Sequence, residues 1–179
     1  PVSAMDQWMA TDFTRERILN ADATTVSVGY YEGGVYNNYW VLIFSYPENS
    51  HTEDYRQEVL NLVNAQRAKY GLTALEMGDD ALTAAAQTRA EEISVVNSHV
   101  RPDGSKCFTV LKDYGVTDTP TGENAAWGSV SPEEVVNAWM NSEGHRANIL
   151  NPEARKMSVG YYYNSNSTWG HQWIQIFTK

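Results

Sequence analysis

The chain of 179 residues has a formal net charge of -9 and contains 42% hydrophobic and 12% aromatic residues. This length fits one ordinary domain plus part of another, and the composition is typical of a packed globular protein. The negative charge repels phosphate backbones and argues against nucleic acid as a partner, and no stretch reaches the roughly 18 apolar residues that a transmembrane segment requires.

The beginning of the chain is similar in sequence to its end. At a constant offset of 131, as between Trp8 and Trp139, 24 positions align and half of them are identical. After a length difference of two residues, positions 40–44 match positions 173–177. Both segments predict a helix, a loop, a strand, a turn and a strand. The chain therefore contains an internal repeat of which the first copy is incomplete.

The repeat predicts the domain organisation. We expect residues 1–46 to be the C-terminal part of a preceding, degenerate repeat, residues 47–54 to be a polar linker, and residues 55–179 to form a complete domain. The first copy has Thr14 where the second has His145, so the first copy lacks whatever chemistry this histidine serves.

An incomplete domain must bury its apolar faces against something. Residues 1–46 can dock on the complete domain, or they can pair with the same segment of a second chain to give a homodimer. The sequence leaves both alternatives open.

Within the complete domain, apolar periodicity and capping residues predict four helices followed by two strands. The helices are expected at 55–70, 80–96, 105–114 and 131–142, and the strands at 157–163 and 173–177 around a polar turn. Cys107 lies on the apolar face of the third helix and is expected to be buried. Helices that flank a small, mainly antiparallel sheet give an α/β sandwich.

Titratable and polar side chains concentrate in three short segments, which we expect in loops or at helix ends. These segments are 98–104, 122–124 and 143–146, and they contain His99, Glu123 and His145. A single histidine is more often structural than ligand-binding, but three such segments together indicate a site.

Four motifs in this order carry a resemblance to a known family. They are His-Val-Arg-Pro-Asp-Gly from position 99, Gly-Glu-Asn-Ala-Ala from 122, Ala-Trp-Met-Asn-Ser-Glu-Gly-His-Arg-Ala-Asn-Ile-Leu from 138, and Ser-Val-Gly-Tyr-Tyr from 158. Together they resemble the bacterial branch of the CAP superfamily, which also includes cysteine-rich secretory proteins, insect venom antigens and plant pathogenesis-related proteins. The resemblance spans residues 51–179.

The resemblance implies a three-layer α-β-α sandwich, a secreted or cell-surface location outside the cell, and a cleft with two histidines and up to two acidic residues. The matching residues here are His99, Glu123 and His145. The animal and plant pattern places a second glutamate where this chain has Ser142, so the neighbouring Glu143 is the second acidic candidate. Glu143 can share the cleft with His145 only if the helix ends there, which Gly144 would allow.

Two neutral imidazoles that converge suit zinc or another divalent metal, with a carboxylate or water completing the coordination. His99 and His145 are therefore candidate metal ligands. A general base beside a metal-bound water would instead make a hydrolase, and Glu123 is the candidate for that catalytic role. A third alternative is a hydrogen-bonded clasp of Glu123 and the histidines, with no ligand.

Arg101 and Asn124 complete the candidate cleft. Arg101 can orient a carboxylate or polar ligand, although a simple role in loop geometry is the first interpretation. His51 and His171 are expected to be solvated, and Trp127 is a candidate for an exposed ring.

These observations favour an exported binding module whose ligand is a small lipid, a cell-wall component or a peptide. A metal-dependent hydrolase or peptidase is the second hypothesis. A structural or adhesive repeat of a surface protein is the third, because the first copy lacks the counterpart of His145.

Overall fold

The computed structural model describes residues 2–19, 23, 25–45 and 52–179. The chain separates into two compact units, Pro1–Ser50 and His51–Lys179. Part of the predicted linker already belongs to a helix of the second unit, which begins at Thr52. His51 and residues 47–50 lie outside the described residues.

The first unit contains two helices and a hairpin. The elements are α1 (Val2–Met9), α2 (Asp12–Ile18), β1 (Thr25–Glu32) and β2 (Asn38–Ser45). The two strands pair antiparallel, from Thr25 opposite Ser45 to Glu32 opposite Asn38.

The second unit contains helices on both sides of a four-stranded sheet. Its helices are α3 (Thr52–Lys69), α4 (Asp80–Ile93), a 3-10 turn (Cys107–Thr109), α5 (Val110–Asp113), α6 (Pro132–Asn141) and α7 (Glu143–Ile149). Its strands are β3 (Glu76–Met77), β4 (Pro120–Trp127), β5 (Lys156–Asn164) and β6 (Gly170–Thr178). The strand order is β3-β5-β6-β4, with β3 parallel to β5 and the other pairs antiparallel.

Two apolar clusters lie on opposite faces of this sheet. On one face, α3 and α6 pack against β5 and β6 through fully buried side chains such as Val63, Trp139 and Trp173. On the other face, α4 and α5 pack against β6 and β4, with Ala86 and Ile174 among the contacts. The three-layer α-β-α sandwich expected from the sequence is confirmed.

The helix predictions hold where local signals are strong. Ser131 caps α6 by accepting a hydrogen bond from the Glu134 amide, and Pro132 occupies the first helical position. The predicted helix at 105–114 is wrong in part, because its first turn is a 3-10 turn and α5 begins only at Val110. Cys107 is nevertheless buried, as its position on the apolar face required.

Three expectations about individual segments differ from the structure. The segment with Glu123 is not a loop but the middle of β4, a strand whose polar sequence lacks the usual alternation. His171 is half-buried and its Nδ1 lies 2.8 Å from the Tyr161 hydroxyl, so it is not a solvated residue. The Trp127 ring is also half-buried, since its Nε1 donates to the Ile93 carbonyl at 3.1 Å.

Candidate functional site

The site is built around a buried carboxylate on β4. The side chain of Glu123 is 2% exposed and contacts two basic groups. Arg89 donates from Nε to Oε2 at 3.0 Å, and the His99 Nδ1 lies 2.7 Å from Oε1. A buried charge is tolerated only when it is paired and hydrogen-bonded, and here both carboxylate oxygens are engaged.

Arg89 is the residue that makes this arrangement stable. It lies on α4 with a fully buried side chain, and besides Glu123 it contacts the Glu92 carboxylate at 2.6 Å and the Ser98 carbonyl at 3.1 Å. Two carboxylates flank its guanidinium, and both raise its pKa against the opposing effect of burial. Arg89 thus anchors Glu123 and also the chain immediately before His99.

His99 is the exposed member of the buried network. Its side chain is 54% exposed, while its Nδ1 contacts Glu123. The hydrogen bond to Glu123 raises the pKa of His99, and partial burial and the charge of Arg89 oppose this rise. Because Nδ1 is held by the carboxylate, Nε2 is the ring nitrogen that a ligand can use.

His145 lies on α7, close enough to His99 for the two imidazoles to interact electrostatically. Burial lowers the pKa of His145, and the positive charge of His99 lowers it further. Compared with a free imidazole, the environment therefore favours the neutral form of His145 and the charged form of His99. The two imidazoles of the cleft are therefore biased toward opposite protonation states.

Side-chain amides fix α7 against β4. Asn124 donates from Nδ2 to the His145 carbonyl at 3.1 Å and to Gln175 Oε1 at 3.1 Å. Asn148 donates to the Glu123 carbonyl at 3.2 Å and to Asn124 Oδ1 at 2.8 Å. Asn124 is fully buried, so its role is to position the strand and helix that carry Glu123 and His145.

Glu143 is placed differently from the sequence expectation. The helix α6 ends at Asn141, and the backbone of Ser142 is extended. The next helix, α7, begins at Glu143 and continues through Gly144 to Ile149. The first helix thus ends within one residue of its predicted end at 142, but Gly144 lies inside the next helix and not at a turn. Residues two apart on a helix point about 200° away from each other, so helical geometry directs the exposed Glu143 away from the side of His145.

Arg101 lies one step behind the cleft. Its guanidinium pairs with Glu92 and with Asp113, each at 2.7 Å, and its side chain is mostly buried. Glu92 in turn contacts Arg89, so Arg101 extends the charge network and fastens the 98–104 loop to α4 and α5. These contacts match the loop-geometry interpretation of Arg101.

Cys107 lies beside the same carboxylate. Its thiol is buried, and burial, followed by the charge of Glu123, raises its pKa to about 11. The thiolate is the nucleophilic form of cysteine, so this thiol is unreactive near neutral pH. Among the residues that the structure describes, no group of three or more His, Cys, Asp and Glu side chains is placed to hold a metal ion.

Comparison with known proteins identifies the family. The model of the cysteine-rich secretory protein family, CAP, matches residues 60–177. The chain belongs to the CAP family. Over 122 residues it is 42% identical to Bacillus subtilis YkwD, covering 67% of this chain and 47% of that protein. It is also 33% identical over 115 residues to the Bacillus subtilis membrane protein YlbC, covering 62% and 33% of the two chains.

Solved structures share the CAP fold. An extracellular SCP-domain protein from Bacillus anthracis superposes with a TM-score of 0.63 at 24% identity, over 78% of this chain and 47% of that one. An outer surface protein from Borrelia burgdorferi gives a TM-score of 0.63 at 23% identity, over 73% and 95%. The chain spans about half the length of YkwD and about a third of the length of YlbC. Over the described part of this CAP protein, no helix combines the length and apolar character needed to cross a membrane.

Sequence reasoning missed the arginine at the centre of the CAP site. Arg89 falls on the apolar stripe of α4, between the buried Ala86 and Ile93. A charged residue on a buried helix face needs a buried partner, and this was the available signal.

The geometry predicts how the two histidines titrate. We expect NMR titration of wild-type protein to give His99 a pKa above and His145 a pKa below the usual value of about 6.5. Glu123→Gln removes the negative charge that stabilises the His99 cation, so the pKa of His99 should fall. The pKa of His145 should rise, because a less charged His99 repels its proton less. Unchanged values in Glu123→Gln would contradict the contact.

Proposed function

We propose that the CAP domain is an exported binding module that receives a polar ligand, such as a peptide or a cell-wall component, at His99 and His145. Its main support is the buried Arg89–Glu123 pair, which fixes one imidazole nitrogen of His99 while leaving half of that side chain exposed. Export is carried over from relatives described as extracellular and as an outer surface protein.

The chemistry of the cleft suits recognition. Glu123 holds the His99 ring in one orientation, so binding costs little side-chain ordering. In its protonated form His99 can donate to an anionic or carbonyl oxygen, whereas zinc would require the neutral ring. Neutral His145 can accept a hydrogen bond. A ligand that offers an acceptor next to a donor, as a peptide does, matches both groups. A lipid would have to use its polar end at this site.

The donor set fits zinc only as an open site. Glu123 is occupied by Arg89 and His99, so it orients His99 from behind, as carboxylates do for metal-bound histidines. His99 Nε2 and the imidazole of His145 would hold the ion, and ligand or water would complete its coordination. A bound zinc ion would supply a Lewis acid that polarises a ligand oxygen.

The contacts of Glu123 support binding rather than hydrolysis. A general base must reach the proton that it removes, and this carboxylate is buried with both oxygens already accepting hydrogen bonds. The neighbouring Cys107 thiol is protonated and buried, so it supplies no nucleophile.

Zinc titration by calorimetry tests the cleft. We expect wild-type protein to bind one zinc ion at neutral pH. His99→Ala and His145→Ala should each reduce the affinity by at least the roughly tenfold to hundredfold that loss of an outer-shell partner costs. Glu143→Gln should bind like wild type, because Glu143 is directed away from His145. Zinc binding that survives both histidine substitutions would remove the metal from the proposal.

A further inference from the structure

The hairpin of the first unit leaves uncovered a face that the CAP domain covers. In the internal alignment, Val41 and Ile43 of β2 correspond to Ile174 and Ile176 of β6. The two isoleucines of β6 are fully buried against the α4 layer, whereas Val41 is 55% and Ile43 is 63% exposed. Among the described residues, the sheet of the first unit contains β1 and β2 alone.

A glycine on the same face indicates that a helix once packed closely, or packs closely, against this face in the complete fold. Gly29 of β1 corresponds to Gly160 of β5, where α4 approaches so closely that a Cβ atom would lie 2.0 Å from the Ala86 carbonyl oxygen. Gly160 is therefore required by the helix backbone. At Gly29 the nearest atom to an added Cβ is the Val41 Cβ at 3.8 Å, so the hairpin itself gives no reason for glycine.

A groove of about 280 Å³ runs beside β2 in the first unit. Thr14, Arg17 and Leu42 are among the residues that line it, and they correspond to His145, Asn148 and Gln175. In the CAP domain these three residues contact Glu123 and Asn124 of β4. This side of the groove is therefore the counterpart of the place that β4 fills. The apolar lining residues Trp8, Ile18, Trp40 and Phe44 correspond instead to members of the cluster that packs against α3.

We infer that residues 2–45 bind the front half of a second CAP fold. The partner is a segment with the chemistry of residues 80–127: an alanine-rich helix that packs on Gly29, Val41 and Ile43, and an extended strand that lies along β2 in the groove. Strand addition satisfies the free edge of a two-stranded sheet, and a hairpin alone is marginally stable. The inference uses no residue of the His99 cleft.

The test supplies this segment in register. Pro1 corresponds to Pro132, so a copy of residues 52–131 joined ahead of Pro1 in the full chain keeps the natural connection between strand and helix. Hydrogen–deuterium exchange is measured for the amides of β1 and β2 in the full chain and in the extended chain. We expect the extension to slow this exchange on the order of tenfold or more.

Gly29→Phe provides the matched control. In the full chain it should leave exchange of β1 and β2 nearly unchanged, because the added Cβ meets only ordinary contacts. In the extended chain it should abolish the protection, because a side chain there keeps the helix away. An extension without effect, or one that Gly29→Phe does not disturb, overturns the inference. Strong protection in the unextended chain, as monomer or dimer, also overturns it by showing another occupant.

Discussion

Replacing Arg89 with methionine is expected to lower the free energy of unfolding of the CAP domain by about 3–5 kcal/mol. The side chain of Arg89 is fully buried and supplies the buried cation that balances the 2% exposed Glu123 carboxylate. Methionine keeps much of the apolar volume but leaves the half-exposed His99 as the basic partner of this carboxylate. Urea denaturation followed by tryptophan fluorescence measures the loss.

A second substitution separates the charge from the packing. Arg89→Met combined with Glu123→Gln removes both charges, so the double variant should lose clearly less stability than the sum of the two single losses. Lys156→Met breaks an ion pair with Asp118 in which both side chains are about one-third exposed, and its cost should be much smaller because solvent screens this pair. Additive losses in the double variant would show that the pair is not coupled.

The Arg89–Glu123 ion pair links the stability of the domain to the geometry of its cleft. Arg89 holds Glu123, Glu123 holds His99, and Arg89 also bonds the Ser98 carbonyl just before this histidine. The buried Arg89–Glu123 pair thus fixes the exposed imidazole of His99, and the ring cannot reorient without breaking these hydrogen bonds. A binding site that must present one orientation of a ring benefits from such a support.

The helices of the fold could be predicted because their signals are local. Four adjacent residues, a serine cap, a proline and two glutamates, predict the start of α6, and the structure places the cap at Ser131. β5 and β6 also follow from short apolar runs around a polar turn. Each of these elements is specified by neighbours in the chain.

Strand β4 could not be predicted from its own residues. Gly122, Glu123 and Asn124 read as a loop, because the strand is stabilised by partners far along the chain. Asn148 on α7 bonds the Glu123 carbonyl, and a Cβ on Gly122 would lie 2.5 Å from the Asn148 Oδ1. Burial of polar residues in a strand depends on such tertiary partners, which periodicity does not reveal.

The site was only partly accessible for the same reason. His99, Glu123 and His145 were found through family motifs, and the structure brings His99 into direct contact with Glu123 and His145 into electrostatic reach of His99. Arg89 belongs to none of these motifs, and its role depends on α4 packing beside both β4 and the 98–99 loop. Its contacts with Glu123 and Ser98 depend on how the elements are arranged in the fold, which the sequence pattern does not reveal.

The second large effect is expected from Gly160→Ala, which should cost about 3 kcal/mol or more in the free energy of unfolding. The new Cβ would lie 2.0 Å from the Ala86 carbonyl oxygen and 2.8 Å from the Gln87 amide nitrogen. Both are backbone atoms of α4, so no side-chain rotation can relieve the overlap. The helix must move off the sheet and loosen the cluster that contains Ile174 and Ile176.

Gly144→Ala is the same chemical change in the same domain with the opposite expected sign. Gly144 lies in α7, and no atom lies within 4 Å of an added Cβ. Alanine has the higher helix propensity, so this substitution should stabilise the domain by up to about 1 kcal/mol. Equal urea midpoints for the two variants would mean that α4 is free to shift, and the close approach at Gly160 would then not constrain the fold.

Because Arg89 lies on α4, a shift of this helix would also displace Glu123 and His99, so Gly160→Ala should weaken zinc binding while Gly144→Ala leaves it intact.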